Sequence, residues 1–565
     1  MSSAAVDRTA GWSRGALLVL ALASTGMLAA APSARAQEAM QAAAAAEPAE
    51  LAGFDAFVET TRETFDVPGI AVAIVRDGEV VLERGYGLRD LQTRAPVGPR
   101  TLFAIASNTK AFTSASLSIL ADEGRLSLDD RVIDHLPWFR MSDDYITGEM
   151  RIRDLLVHRS GLGLGAGDLL YWPTTDYSTE EVARRLRHVP IDGSFRGQYA
   201  YDNILYGVAQ LVIEAASGQS YAQFLQQRIL DPLGMASTRF NSDTLRADDE
   251  IATGYAKADF KDLQPAPRMA WANVSGAGGL YSSVHDMTRW MRMQLAGGSY
   301  HDAAGETRRL FSEKRQQAMW TVVTPRAVGK APVPELAPAM PNFSGYGEGW
   351  NLSDYRGEKL VWHTGGWPGM VSRLTLVPER GIGIVVLTNA EVGGAFQAVT
   401  LRALDAMLGA PAEGPTEHDW NAAFAAALAA SRGKADEDWD KHVAARDARS
   451  KPSLPVADYA ATYRDPWYGD VAIERDGERL RMRFTRTPAL RGTLEHWQHD
   501  TFIVRWDERW LNADAFVSFV LDPDGKVREA RMEAVSPLTD FSFDFQHLRL
   551  APVETAQDET TADRG

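Results

Sequence analysis

Two groups of strand-like runs, far apart in the chain, most constrain how this sequence can fold. Residues 69–75 read Gly-Ile-Ala-Val-Ala-Ile-Val, and an Asp77-Gly78 turn joins them to Val80-Val81-Leu82-Glu83, the pattern of a β-hairpin. The first run is almost continuously apolar, as a strand is when both of its faces are covered. A second cluster follows much later, at 358–362, 371–377 and 382–387, its last two runs divided by Pro378-Glu379-Arg380-Gly381. Helices and loops fill the interval up to about residue 340. Strands at both ends of a helical middle imply one sheet assembled from the two ends of a domain.

The chain then changes character. Residues 417–448 are Ala-rich and charged, with Gly433 the one glycine, a pattern for a connecting helix, and 451–455 read as a linker. Short alternating runs at 459–463, 471–473, 480–484, 501–504, 516–520 and 527–532 follow. Turns such as Asp476-Gly477 and Asp522-Pro523-Asp524-Gly525 separate them, the rhythm of an antiparallel barrel or sandwich.

At the other end, Arg8 and Arg14 precede an apolar stretch at 15–31, then Pro32 and the small-x-small site Ala34-Arg35-Ala36. This reads as a signal peptide whose removal leaves Gln37 first. The apolar run is short for a bilayer span and is broken by Ser24-Thr25-Gly26, and no later run is long enough. The expectation is an exported protein, periplasmic or secreted, without a stable membrane span. The 59 basic residues against 75 acidic ones, a formal charge of -16, argue against an overall nucleic-acid footprint. The lack of cysteine removes disulfides, thiolate metal sites and a thiol nucleophile.

Chemistry concentrates at Ala106-Ser107-Asn108-Thr109-Lys110, where a predicted helix over about 107–123 begins. A hydroxyl and an amine three residues apart project from one helix face, so the amine can reach the hydroxyl. Serine is a poor nucleophile until a neighbour takes its proton, and a lysine can do so once burial or another cation depresses its pKa. The helix N-terminus adds backbone N–H groups that can face an oxyanion. With only ten lysines, chance still produces a second Ser-x-x-Lys, Ser431 to Lys434, but that one lies in the charged connecting segment with no apolar face to desolvate it. Two further motifs occur once each: Tyr201-Asp202-Asn203 and His363-Thr364-Gly365-Gly366.

Taken in this order, the three motifs resemble those of the serine β-lactamase and penicillin-binding-protein superfamily, and most closely its class C β-lactamase, D-aminopeptidase and esterase branch, peptidase S12-like. Residues 155–162 and 278–283 look like framework segments of that branch, and the resemblance runs from about 53 to 410. It implies Ser107 as acylated nucleophile, Lys110 as its proton acceptor or electrostatic partner, and Tyr201 as a phenol shuttling the proton to the leaving group. It implies Asn203, His363, Thr364 and Gly365 as substrate-binding residues, with Asn203 orienting Lys110 or the substrate amide, and the backbone N–H groups of Ser107 and Gly366 as the oxyanion hole. A tyrosine serves as base only if its pKa is lowered, which a nearby lysine cation would do. Where β-lactamases carry a lysine, this chain has His363, mostly neutral at pH 7, which puts efficient β-lactam hydrolysis in doubt and suits the peptidase and esterase members.

Strand pattern and resemblance together give an α/β (α+β) fold: an antiparallel sheet flanked by helices plus a mainly helical subdomain, followed by a small all-β antiparallel barrel that resembles a lipocalin-like domain. The expected division is a signal peptide at 1–36, a spacer at 37–52, a serine hydrolase domain at 53–410, a helical linker at 411–452, a barrel at 453–551 and a polar tail at 552–565. The expected activity is cleavage of a small amide or ester, such as a D-amino-acid peptide, without cofactor or metal; the rival readings are a carboxylesterase or weak β-lactamase, and a non-catalytic peptide-binding or sensor protein. The expected partner is a small-molecule or peptide substrate, and a homo-oligomer stays open. Gly161-Leu-Gly-Leu-Gly-Ala166 matches a dinucleotide fingerprint without the strand that should precede it, and His496 and His499 lack a third ligand.

Overall fold

The computed structural model describes residues 48–409 and 418–553; the expected signal peptide, most of the spacer, the start of the linker and nearly all of the tail lie outside them. Nine strands form the main sheet: β1 (Gly69–Arg76), β2 (Glu79–Asp90), β3 (Ala95–Pro96), β4 (Thr324–Arg326), β5 (Ser344–Tyr346), β6 (Asn351–Tyr355), β7 (Glu358–Trp367), β8 (Met370–Val377) and β9 (Ile382–Thr388). They lie in the order β4-β5-β6-β7-β8-β9-β1-β2-β3. β1 pairs antiparallel with β9, Ile70 opposite Thr388, so the two ends of the domain do meet at one seam.

The apolar run of β1 has its reason in this position. Ala71, Ala73 and Val75 face one buried cluster, and Ile70, Val72 and Ile74 face the other. Helices α1 (Phe54–Phe65), α5 (Gly393–Leu408) and the start of α6 (Trp420–Ala445) cover the second face. On the first lie α2 (Thr109–Asp122), α3 (Ile204–Ser217) and α4 (Val284–Leu295), with the rest of the helical middle. A strand covered on both sides cannot alternate apolar with polar side chains. Helix α6 lies within the run read as helical from the sequence, and it continues through Gly433 unbroken.

The C-terminal strands are β10 (Ala461–Asp465), β11 (Gly469–Asp476), β12 (Arg479–Phe484), β13 (Arg491–Gln498), β14 (Thr501–Trp506), β15 (Ala515–Leu521), β16 (Val527–Ala534) and β17 (Ala551–Pro552). Each pairs antiparallel with the next from β10 to β16. Leu550 bridges to Ala530 on β16 while β17 pairs with β10, which nearly closes an eight-stranded barrel, as expected of a lipocalin-like domain. β13, Arg-Gly-Thr-Leu-Glu-His-Trp-Gln, departs from simple alternation, because its buried positions are Gly492, Leu494 and Trp497 and the register shifts between His496 and Gln498. His496 Nε2 meets the His499 carbonyl. No helix among the described residues is long and apolar enough to cross a membrane.

Candidate active site

The chain enters the site through the short strand Phe103–Ala104, which pairs with Leu280–Ser282. It then turns at Ala106, whose φ of 45° is left-handed, a conformation that costs a non-glycine residue about 1 kcal/mol. A 3-10 turn at Ala106–Asn108 leads directly into α2. The surroundings fix this turn. The Ile105 N–H donates to the Leu280 carbonyl at 2.9 Å, Asn108 Nδ2 donates to Ser372 Oγ at 2.8 Å, and Ser372 Oγ donates to the Ile105 carbonyl at 2.9 Å. Ser107 therefore stands half-buried at the foot of a helix that is itself buried along its length, with Phe112 stacked on Trp290 at 3.8 Å between ring centroids.

Lys110 is fully buried, and its Nζ lies 3.0 Å from Ser107 Oγ, 2.7 Å from Asn203 Oδ1 and 3.0 Å from the Ala277 carbonyl. Burial lowers its pKa from 10.5 to about 7, against the opposing pull of Asp168 and Asp202. A neutral amine in contact with a hydroxyl can take its proton. Tyr201 borders the same cleft as Ser107, and Lys110 Nζ lies 4.9 Å from the centre of its ring. The expected lowering of this phenol does not occur: burial pushes Tyr201 well above the ordinary tyrosine range, and the nearby Ser107 hydroxyl only partly opposes it. Of the two, the lysine is the group poised to accept a proton near neutral pH.

His363 is 2% exposed on β7. Its Nδ1 lies 2.6 Å from the Thr364 carbonyl, which can only accept, so Nδ1 carries the proton and Nε2 accepts from the Tyr346 hydroxyl at 2.8 Å. Burial, then the Lys110 cation, hold His363 down at about 3, and the ring stays neutral. The two glycines after Thr364 differ. A Cβ on Gly365 would lie 2.1 Å from the Ile105 carbonyl, so this residue lets β7 approach the turn that carries Ser107, and it is not among the residues bordering the cleft. A Cβ on Gly366 would meet nothing within 4 Å. Ser107, Tyr201, Asn203, His363, Thr364 and Gly366 all border one cavity of about 530 Å³.

The β-lactamase family profile matches residues 54–407. The chain belongs to the β-lactamase family. Residues 445–552 match a domain of unknown function, DUF3471. An unguisins hydrolase from Aspergillus campestris is 28% identical over 509 residues, 83% of this chain and 87% of its own. Protein flp of Staphylococcus aureus is 27% identical over 336 residues, 59% of this chain and 62% of its own. Among solved structures, an octameric penicillin-binding protein homologue from Pyrococcus abyssi aligns with a TM-score of 0.55 at 22% identity, covering 88% of this chain and 99% of that one. A D-amino acid amidase from Ochrobactrum anthropi aligns at 0.50 and 22% identity, covering 62% and 97%. These two likenesses concern the fold.

Residues that the sequence did not single out complete this β-lactamase-family cleft. Trp172, Trp271, Trp362 and Leu164 form apolar walls. Arg326 borders the cavity, its Nη1 donating to Asn351 Oδ1 at 2.7 Å and its guanidinium lying 4.5 Å from the centre of the Tyr199 ring. Asp540, Phe541 and Ser542 come from the C-terminal region, and the Phe541 ring stands edge-on to Tyr201. Asp168 accepts from Asn203 Nδ2 at 2.8 Å. No local pattern marks these residues, since each acquires its place through contacts remote in sequence.

Proposed function

We propose that this serine hydrolase cleaves a small amide or ester, a D-amino-acid peptide or related compound, through an acyl-enzyme on Ser107. The observation that carries the reading is the buried Lys110 amine 3.0 Å from Ser107 Oγ, with a pKa near 7. Lys110 Nζ takes the Ser107 proton as Oγ bonds to the substrate carbonyl carbon. The N–H groups of Ser107 and Gly366 face the resulting oxyanion. The bond to the leaving nitrogen or oxygen then breaks, and Tyr201 relays the proton from Lys110 to that atom. Water attacks the acyl carbon, gives its proton back through the same pair, and releases the acid and free Ser107.

Arg326 gives the cleft a guanidinium and Asp540 a carboxyl group whose pKa burial raises, a polar pair that supports an amino-acid-derived substrate over a plain alkyl ester. The neutral His363 offers no cation to a lactam carboxylate where a lysine would. The hydrolase name of the Aspergillus relative, which aligns along most of both chains, agrees with bond cleavage. Export through residues 1–36 is part of the proposal, and N-terminal sequencing of the mature protein should begin at Gln37. Incubation with lactams, D-amino-acid amides and esters, followed by intact-mass measurement, should add one acyl group to the wild type and none to Ser107→Ala. Equal acylation of both proteins would refute the assignment; turnover of esters alone would favour the carboxylesterase reading.

A further inference from the structure

We propose that the C-terminal barrel is a working part of the hydrolytic apparatus, with Ser542 positioning Lys110 against Ser107 through Asp168 and Asn203. The inference rests on the reading of Ser107 as nucleophile and Lys110 as its base.

Four bonds run in series. Ser542 Oγ donates to Asp168 Oδ2 at 2.9 Å, Asn203 Nδ2 donates to the same oxygen at 2.8 Å, Lys110 Nζ donates to Asn203 Oδ1 at 2.7 Å, and Nζ meets Ser107 Oγ at 3.0 Å. Ser542, Asp168, Asn203 and Lys110 are all buried. A side-chain amide can flip, exchanging its donor end for its acceptor end. The oxygen of Asp168 that Asn203 faces accepts, so Nδ2 must point to it and Oδ1 must point to Lys110. That choice matters for the neutral amine, which has two N–H groups and one lone pair. Asn203 Oδ1 and the Ala277 carbonyl each accept one N–H, which leaves the lone pair for the Ser107 hydroxyl. Flipped, the amide would present a donor to Lys110 and draw the lone pair away from Ser107.

The barrel region holds Asp168 in two ways. Besides the Ser542 bond, the Asp544 carboxylate accepts the N–H groups of Gly167 at 2.7 Å and Leu169 at 3.1 Å, gripping the backbone on either side of Asp168. The Phe541 carbonyl packs over Gly165, where a Cβ would come within 2.6 Å, and His547 Nε2 meets Asp192 at 2.7 Å. A segment that only walled the cleft would need bulk such as Phe541. Ser542 instead spends its hydroxyl on the carboxylate behind Asn203.

The test uses the full chain and a small alkyl fluorophosphonate, too small for a wall to discriminate, and records both the rate and the final extent of Ser107 labelling at pH 7. Misfolding lowers the extent, whereas mispositioning lowers the rate of the protein that does label. Ser542→Ala should slow labelling about tenfold, the scale of one buried hydrogen bond. Asp168→Ala should slow it on the order of a hundredfold, the scale of a misplaced catalytic group. The double variant should be no slower than Asp168→Ala alone, because Ser542 acts through Asp168. Ser542→Thr, which keeps the hydroxyl, should label at the wild-type rate. Should Ser542→Ala fail to fold, Ser542→Cys keeps the volume, weakens the donor and carries the same expectation. An unchanged rate at full extent in Ser542→Ala, or effects that multiply in the double variant, would overturn the relay while leaving Ser107 as nucleophile. Failure of the wild type to label at Ser107 would instead overturn the catalytic reading and the relay with it.

Discussion

The buried lysine sets a pH dependence that can be worked out in advance. With a pKa of 10.5, about one lysine in three thousand would be neutral at pH 7; Lys110, held near 7, is neutral in about half of the molecules. The acylation rate should therefore rise through an apparent pKa near 7 to a plateau, falling tenfold for each pH unit well below it. The groups whose charge Lys110 feels are Asp168 and Asp202, which raise its pKa, with Tyr201, Tyr206, His158 and His363 also packed around it. Asp202, which burial raises to about 7, and Asp168, which burial raises well above the ordinary carboxylate range, are the competing titrations beside it. Asp202→Asn and Asp168→Asn, made singly, separate each from Lys110. If Lys110 is the titrating group, the acid limb survives and moves to lower pH, because a charge that favoured the ammonium has gone. The assay is the pre-steady-state burst of p-nitrophenol from an activated ester between pH 5 and pH 9. A flat wild-type profile, or loss of the limb in either variant, would refute the assignment of Lys110 as base.

The same lysine should leave a mark on stability. Its folded-state pKa is depressed, so the unfolded chain binds more protons between about pH 7 and 10.5, and stability rises with pH across that window. From pH 7 to pH 9 the wild type should gain about 2 kcal/mol relative to Lys110→Met in urea denaturation, and equal slopes would contradict the depressed pKa. At β7, Gly365→Ala should cost about 1–3 kcal/mol or displace the Ser107 turn, because its Cβ meets the Ile105 carbonyl, whereas Gly366→Ala should fold like the wild type; thermal melts of both check this. Glu348, 1% exposed and paired with Arg153 at 2.9 Å and Arg315 at 3.1 Å, should cost about 3 kcal/mol when changed to alanine, measured by the shift in denaturation midpoint.

What could be seen in the sequence were the features whose signal is local. The runs at 69–75, 371–377 and 382–387 announce strands because burial on both faces excludes polar residues, and Ser107, Lys110, Tyr201 and His363 stand out by residue type and order. Strands β4 to β6, toward one side of the sheet, carry no such local signal, being short and rich in polar residues and glycine. The direction of the Tyr201 shift could not be read from spacing, since it is set by burial that only tertiary packing creates, which outweighs the Ser107 hydroxyl beside it. Asp168 and Ser542 are 374 residues apart, and neither has a neighbour that marks it.

The seam between β1 and β9 also has a temporal side. When the hairpin of β1 and β2 leaves the ribosome, the edge that will take β9 is an apolar strand with open backbone groups, and its partner is about three hundred residues from being made. Contacts of such separation are slow to form, and an unpaired strand edge invites pairing with another chain. Because β7 reaches the Ser107 turn through the same sheet, Ser107 and its cleft come together only as that edge is closed. Until then the chain is an incomplete sheet without its cleft, so whatever shields the β1 edge in that interval governs how much folded protein forms.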